Sequence, residues 1–416
     1  MAFATVLMVI AVVAGLYMAW AIGANDVANA MGTSVGSGAL TLKRAIIVAA
    51  VFEFSGAVLA GGSVSKTIRK GIVEPDAFAG EPQLLVFGMI AALLAAAVWL
   101  SVATWRGWPV STTHSIVGAI VGFSAAGLGV SSVAWGKVGE IVASWVTSPL
   151  LAGTLGFLVF GAVRKLVLDH ENPMERTRLS APFLAAATTF VIALVTLWKG
   201  LKHLDLHLSQ GQAVLVALGV AVVGGLVGAF LTRRVPGAED DPTDGNQGVE
   251  RVFALLQIYT ACAVAFAHGS NDVANAIGPM AAVVATIKAN AVTASSAVPL
   301  WMLLIGGVGI VVGLATYGYK VMVTVGEKIT HLTPSRGYAA EFAAATTIVL
   351  ASQLGLPIST THTLIGAVLG VSLARGKGAT NFGIVGQIVV SWIVTLPAGA
   401  GLGVGFFFLL KALFGG

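Results

Sequence analysis

Charge is what this sequence has least of. Lys, Arg, Asp and Glu together make up 10% of 416 residues, against 57% hydrophobic residues. A soluble globule carries about 25% charged residues because its surface must be wetted. With a mean hydropathy of +0.92, there are too few charges to cover a sphere of this size, so much of the surface must face lipid. Cysteine is nearly absent as well. Cys262 stands alone inside an apolar run, which excludes a disulfide within the chain and says little about compartment. There is no G-x-x-x-x-G-K-[ST] segment, so no ATP is hydrolysed by a P-loop. A basic block is also missing. The net charge of +5 comes from Lys and Arg scattered singly and in pairs between apolar runs, which argues for loop anchors and against nucleic acid as a partner.

What is present is long apolar runs and many glycines. Stretches long enough to cross a bilayer, about 17–25 residues, recur at Phe3–Ile22, Ala45–Gly62, Leu84–Thr104, Val138–Ala162, Pro182–Trp198 and Gln212–Leu231. They resume at Val252–Ala267, Pro299–Gly318, Tyr338–Leu356 and Ile384–Leu410. Two more, Pro109–Gly127 and Pro357–Ala374, open on a polar cluster before turning apolar and read as broken or re-entrant helices. The first run lacks a basic leader and exceeds the 7–15 apolar residues usual for a signal peptide, so it reads as a retained transmembrane helix. The 52 glycines suit helices that approach one another closely in lipid.

An internal repeat organises the chain. Gly23-Ala-Asn25-Asp26-Val-Ala-Asn29-Ala-Met-Gly32 returns as Gly269-Ser-Asn271-Asp272-Val-Ala-Asn275-Ala-Ile-Gly278, an offset of 246. Pro109-Val-Ser111-Thr112-Thr113-His114 returns as Pro357-Ile-Ser359-Thr360-Thr361-His362, offset by 248. Ser144-Trp145-Val146-Thr147 returns at Ser391-Trp392-Ile393-Val394-Thr395. The units are residues 1–162 and 251–416, separated by a two-helix connector (163–231) and a Gly-, Pro- and acid-rich linker (232–250) that cannot pack a core. Five spans per unit plus two between them predict an all-α polytopic membrane protein of about twelve transmembrane helices. An odd unit followed by an even connector sets the second copy upside down, the inverted-topology repeat of secondary transporters. On that plan 15 of the 23 Lys and Arg lie on one side, among them Lys43, Arg44, Arg106, Arg233, Arg234 and Lys328. The positive-inside rule makes that side cytoplasmic and leaves both termini outside.

The repeated motifs carry two opposite chemistries. Asp26 and Asp272 sit in or at the end of apolar runs, where a carboxylate costs roughly 2.5–3.5 kcal/mol. Asp26 and Asn29, like Asp272 and Asn275, are three apart and share a helical face. The flanking glycines should let the backbone unwind, giving a set of hard oxygen ligands for a hard cation. Helix-capping alone would explain one such copy more easily than two. The Ser111-Thr112-Thr113 and Ser359-Thr360-Thr361 clusters instead begin helices behind a proline, aiming free N–H groups and hydroxyls at one spot. Such a helix start attracts an anion. His114 and His362 read as structural hydrogen-bonders. An anion near Asp26 and Asp272 needs a cation between, so each ion should raise the affinity for the other.

These segments resemble the inorganic phosphate transporter (PiT) family, over both repeat units and so nearly the whole chain outside the connector. The resemblance implies a twelve-span plasma (inner) membrane protein with both termini outside, commonly a homodimer, importing inorganic phosphate with sodium or protons. Residue by residue, it implies phosphate contacts from Ser111, Thr112, Thr113, Ser359, Thr360 and Thr361, and cation contacts from Asp26, Asn29, Asp272 and Asn275. Asn25 and Asn271 could serve either and are assigned to the phosphate. Glu53 resembles a family glutamate and is a coupling candidate. Glu140 and Gln387, matched at an offset of 247, are further coupling candidates with helix packing as the equal alternative. Glu341 has no polar match. No resident cofactor is expected; sodium enters as co-substrate, favoured over a proton because Asn, Ser and Thr oxygens lie beside each Asp. The alternatives are a proton-coupled (metal-)phosphate symporter and a sulfate symporter of the same fold. Gly32-Thr33-Ser34-Val35-Gly36 fits the hydrolase elbow pattern without its strand–turn–helix context, and no enzyme is expected. His203 and His207 have ligand spacing with no further ligands nearby.

Overall fold

The structure, a computed structural model, describes residues 2–62, 72–73, 75–78, 80–199, 208–235, 247–292, 298–354, 358–376 and 380–415. Pro357, His203, His207 and most of the 232–250 linker lie outside the described residues. Everything long is helical. The helices are α1 (Ala2–Asp26), α2 (Ala28–Gly36), α3 (Leu42–Ala60), α4 (Pro82–Trp105), α5 (Thr112–Leu128), α6 (Trp135–Val163) and α7 (Pro173–Lys199). They continue as α8 (Gln210–Thr232), α9 (Gln247–Ala289), α10 (Leu300–Tyr317), α11 (Pro334–Gln353), α12 (Thr360–Arg375) and α13 (Phe382–Phe414).

Eight helical segments among the described residues are long and apolar enough to cross a membrane. Their outer faces are apolar: Leu150, Leu215, Leu226 and Ile393 are each at least 65% exposed. In water such a surface would aggregate, so it belongs against lipid. The helix α3 is 19 residues long but carries Lys43, Arg44 and Glu53. The two segments expected to be re-entrant are short, at 17 residues for α5 and 16 for α12. At 1.5 Å per residue they reach about 24–26 Å, short of the roughly 30 Å hydrocarbon core. Each is capped by its serine, Ser111 accepting from His114 N at 3.2 Å and Ser359 from His362 N at 3.1 Å. Each ends at a glycine with positive φ, Gly129 at +95° and Gly376 at +118°, a backbone conformation that side chains disfavour.

The packing pairs elements from opposite ends of the chain. The N-terminal α1 lies on α10 and α4, while α9 lies on α3 and α11; α5 packs against α13, and α12 against α6. Glycine makes the tightest crossings possible. A Cβ on Gly23 would strike the Ile310 carbonyl, and one on Gly313 the Trp20 carbonyl. The α9–α3 crossing repeats the device, with Gly269 on the Glu53 carbonyl and Gly56 on that of Phe266.

This corrects one sequence expectation. The glycines around the Asn-Asp motifs do not unwind both helices. The first copy breaks between α1 and α2, at Val27 alone, and α9 runs unbroken from Gln247 to Ala289. Gly23 and Gly269 are there because a neighbouring backbone touches them.

Candidate functional site

The break after Asp26 and the middle of α9 meet at the starts of α5 and α12, and all four motif clusters come together there. Asn25, Asp26, Asn29, Ser111, Thr112, Thr113, Asn271, Asp272, Asn275, Ser359, Thr360 and Thr361 are each no more than 3% exposed. Within each half, the first threonine of the short helix donates to that half's aspartate. Thr112 Oγ1 donates to Asp26 Oδ2, and Thr360 Oγ1 donates to Asp272 Oδ2 at 2.8 Å.

Between halves the bonds cross. Asn29 Nδ2 donates to Thr361 Oγ1 at 2.8 Å, and Asn275 Nδ2 to Thr113 Oγ1 at 3.4 Å. The second threonines then reach the approach to the opposite helix. Thr361 Oγ1 lies 3.2 Å from the Val110 carbonyl and 3.4 Å from Asp26 Oδ1, while Thr113 Oγ1 donates to the Ile358 carbonyl at 3.1 Å.

Asn25 is held elsewhere. Its amide nitrogen donates to Thr104 Oγ1 at 2.9 Å and the Trp108 carbonyl at 3.1 Å, and its Oδ1 accepts from Val110 N at 3.2 Å. It thereby fixes the turn leading into Ser111. The two histidines face away from the cluster. His362 Nδ1 lies 3.4 Å from the Trp145 carbonyl, which Pro149, four residues on, cannot satisfy within the helix. The His114 ring lies against Trp145 and the His362 ring against Trp392, centroids 3.6 Å apart in each case.

Two buried groups, one at the cluster and one beside α2, were given no role from sequence. His268 sits between carboxylates, its Nδ1 2.7 Å from Glu53 Oε2 and its Nε2 2.8 Å from Asp272 Oδ2. The second contact is close but poorly aligned as a hydrogen bond. The position matching His268 at the 246 offset is Ile22, so Asp26 has no such neighbour. A histidine four residues before an aspartate in an apolar run was the available signal. Glu341, unmatched in the repeat, accepts from Thr33 Oγ1 and Ser34 Oγ at 2.7 Å, Thr260 Oγ1 at 2.6 Å and Gln257 Nε2 at 3.0 Å. It ties α11 to α2 and α9.

Glu140 and Gln387 are not brought to this cluster. Glu140 is exposed and paired with Lys137 at 2.6 Å, and Gln387 lines a separate cavity.

What the centre can do follows from its oxygens. Ligand atoms of Asp26, His268 and Asp272 lie within 4.8 Å of one another. Asn29 Oδ1 and Asp272 Oδ1 are buried with no donor facing them, an arrangement that wants a cation. Carboxylate and amide oxygens suit a hard ion. The helix starts beside them suit an anion.

A lipid-facing helical bundle that seals such a cluster at its centre is a membrane transport protein. The phosphate transporter family profile matches residues 22–403. A protein of Haemophilus influenzae named "Putative phosphate permease" is 48% identical, with 97% of each chain covered. The Arabidopsis thaliana "Inorganic phosphate transporter 2-1, chloroplastic" is 44% identical over 94% of this chain and 70% of its own. Among solved structures, "The sodium-dependent phosphate transporter" superposes with a TM-score of 0.90 at 42% identity, covering 98% of this chain and all of the other. The chain belongs to the phosphate transporter family, a family of transporters and not of enzymes.

Proposed function

We propose that this protein imports inorganic phosphate across the plasma (inner) membrane in symport with a cation, sodium by preference, through alternating access. The carrying observation is the bonding at the starts of α5 and α12, where each aspartate holds a threonine of its own half and Asn29 and Asn275 hold threonines of the other. While the hydroxyls of Thr112 and Thr360 donate to Asp26 and Asp272, they are unavailable to an anion. A cation that takes over the carboxylates releases those hydroxyls. Together with the free N–H groups of two helix starts, they then surround a tetrahedral oxyanion. Asn29 and Asn275 add oxygens to the cation while bonding the opposite threonines, so neither ion binds without re-setting the other's ligands. That is reciprocal coupling, and it favours the cation binding first.

The same reading assigns the chain twelve spans in two inverted units, residues 1–162 and 251–416, with 163–231 as connector and 232–250 as cytoplasmic linker. Matched features support it: Pro149 and Pro397 lie 248 apart inside α6 and α13, and each short helix packs on the long helix of the other unit. Sodium is favoured because amide and hydroxyl oxygens surround each carboxylate, and because the solved relative's name is sodium-dependent. A homodimer is the proposed assembly. The test is uptake of labelled phosphate into proteoliposomes under a sodium gradient and, separately, a proton gradient. Sodium-driven accumulation, competed by phosphate and not by sulfate, is the expected result. Accumulation under the proton gradient alone overturns the sodium assignment, and preferential sulfate uptake overturns the substrate.

A further inference from the structure

Behind the turn that leads into Ser111 lies a polar cavity, of about 100 Å³, that the proposed phosphate transport leaves without a role. Its lining includes Arg106, Trp108, Thr324, Lys328, Gln387 and Ser391. A water needs roughly 10–15 Å³ of such space, so one small oxyanion fits with solvent to spare. Thr324 and Ser391 are buried at 8% and 5% exposure, while Arg106, Lys328 and Gln387 are exposed at the rim.

The turn that makes the cavity is specific. Gly107, at a φ of +68°, folds the chain back after α4, with Trp108 N donating to the Ala103 carbonyl at 2.9 Å. The Arg106 guanidinium lies over the Trp108 ring at 5.1 Å from its centroid, and is thereby held at the cavity. Among the described residues, neither Arg106 nor Lys328 is within ion-pair distance of a described carboxylate. Two unspent cations, the Thr324 hydroxyl and an amide around one small space form an oxyanion site, while Ser391, whose hydroxyl donates to the Ile388 carbonyl at 2.7 Å, closes the wall.

Its position gives the site meaning. Trp108 and Pro109 form its wall, and Thr112 is three residues past Pro109, at most about 11 Å of chain. The same turn is clamped by Asn25, next to Asp26. Repeat symmetry does not reproduce the cavity. The positions matching Arg106, Lys328 and Gln387 hold Leu354, Gly80 and Glu140, so the opposite mouth lacks these cations.

We propose that this vestibule is a docking site for a phosphate group at one mouth of the pathway, the cytoplasmic mouth in the orientation inferred from charge bias. The inference rests on the phosphate-transport reading and extends it. Phosphate leaving the central site is held briefly by Arg106 and Lys328 before release. As cytoplasmic phosphate accumulates, the occupied vestibule slows further release, so import is restrained from the product side.

The experiment measures the phosphate KM separately at each face, by uptake and by efflux from oriented proteoliposomes of neutral phosphatidylcholine. Saturable transport by the wild-type protein at both faces checks the transport reading by itself. Arg106→Gln and Lys328→Gln should each raise the cytoplasmic-face KM about 3- to 10-fold, the size expected when one charge-assisted hydrogen bond is removed from a half-open site. The external-face KM should move far less, and Arg106→Lys should restore most of the affinity. The same effect appearing only when anionic phospholipid is added identifies the occupant as a lipid headgroup, whereas its appearance in neutral vesicles identifies the free ion. No change in either lipid, equal changes at both faces, or a change confined to the external face overturns the proposal.

Discussion

At the scale of single residues, the site turns on which partner each hydroxyl and carboxylate holds. Thr112→Val and Thr360→Val delete one hydroxyl at nearly constant volume. Each is expected to weaken phosphate binding by roughly 1–3 kcal/mol, or about 5- to 150-fold, as read by titration at saturating cation. Because both face one ligand in the proposed site, the double variant should depart from additivity; unaltered affinity in both single variants would remove these threonines from the phosphate site. Asp26→Asn and Asp272→Asn keep shape and remove charge. Transport in each should lose at least about tenfold in apparent cation affinity, corresponding to ~1.4 kcal/mol, and an unchanged cation requirement would strike that aspartate from the ligands. The motif residues were legible in the sequence because each cluster is local and occurs twice. His268 was not singled out because its partner Glu53 lies 215 residues away and its own repeat position is an isoleucine. Glu341 stayed unassigned for a like reason, since its donors stand on α2 and α9 and only the folded bundle gathers them.

At the scale of helices, the short elements were readable and the crossings were not. A proline followed by Ser-Thr-Thr predicts a helix start, and α5 and α12 begin at Thr112 and Thr360. Glycine, by contrast, has several uses that sequence alone does not separate. Unwinding was the expected one around the Asn-Asp motifs, whereas the structure shows backbone-to-backbone contact at Gly23 and Gly269. A substitution distinguishes these uses. Gly269→Val must push the Glu53 backbone aside and should destabilise the protein by about 1–3 kcal/mol or more, read as a lowered melting temperature in detergent. Gly386, inside α13 with open space around it, is the control. There Gly386→Ala should be neutral or stabilising by roughly 0.5–1 kcal/mol, because alanine favours helix. A Gly269→Val protein that melts with the wild type would mean that α9 and α3 do not cross as tightly as described.

At the scale of the whole molecule, four carboxyl groups, those of Asp26, Glu53, Asp272 and Glu341, are buried at 1% exposure or less in a chain that reads as spanning lipid. An ionisable group at the centre of a membrane span costs roughly 2.5–3.5 kcal/mol, and the partners of each offset that cost. Glu341 accepts four protein donors that tie helices together, whereas Asp26 and Asp272 hold the threonines of the central cluster. The proposed transport cycle requires two halves facing opposite ways, and that parity is open to a direct experiment. The proposed plan of five spans, then two, then five puts the 232–250 linker and the C-terminus on opposite sides of the membrane, and by the positive-inside rule it puts the linker in the cytoplasm. Single cysteines at Asp244 and at Gly416 report the two sides. Cys262, already buried, is first replaced by alanine so that no second thiol competes. In intact cells a membrane-impermeant maleimide should label the Gly416→Cys protein and spare the Asp244→Cys protein, which reacts only after the membrane is opened. Labelling of both from one side would break the odd-plus-even count, and with it the inverted repeat. Reversed labelling would keep the repeat but turn the molecule over, moving the Arg106–Lys328 vestibule to the outer face.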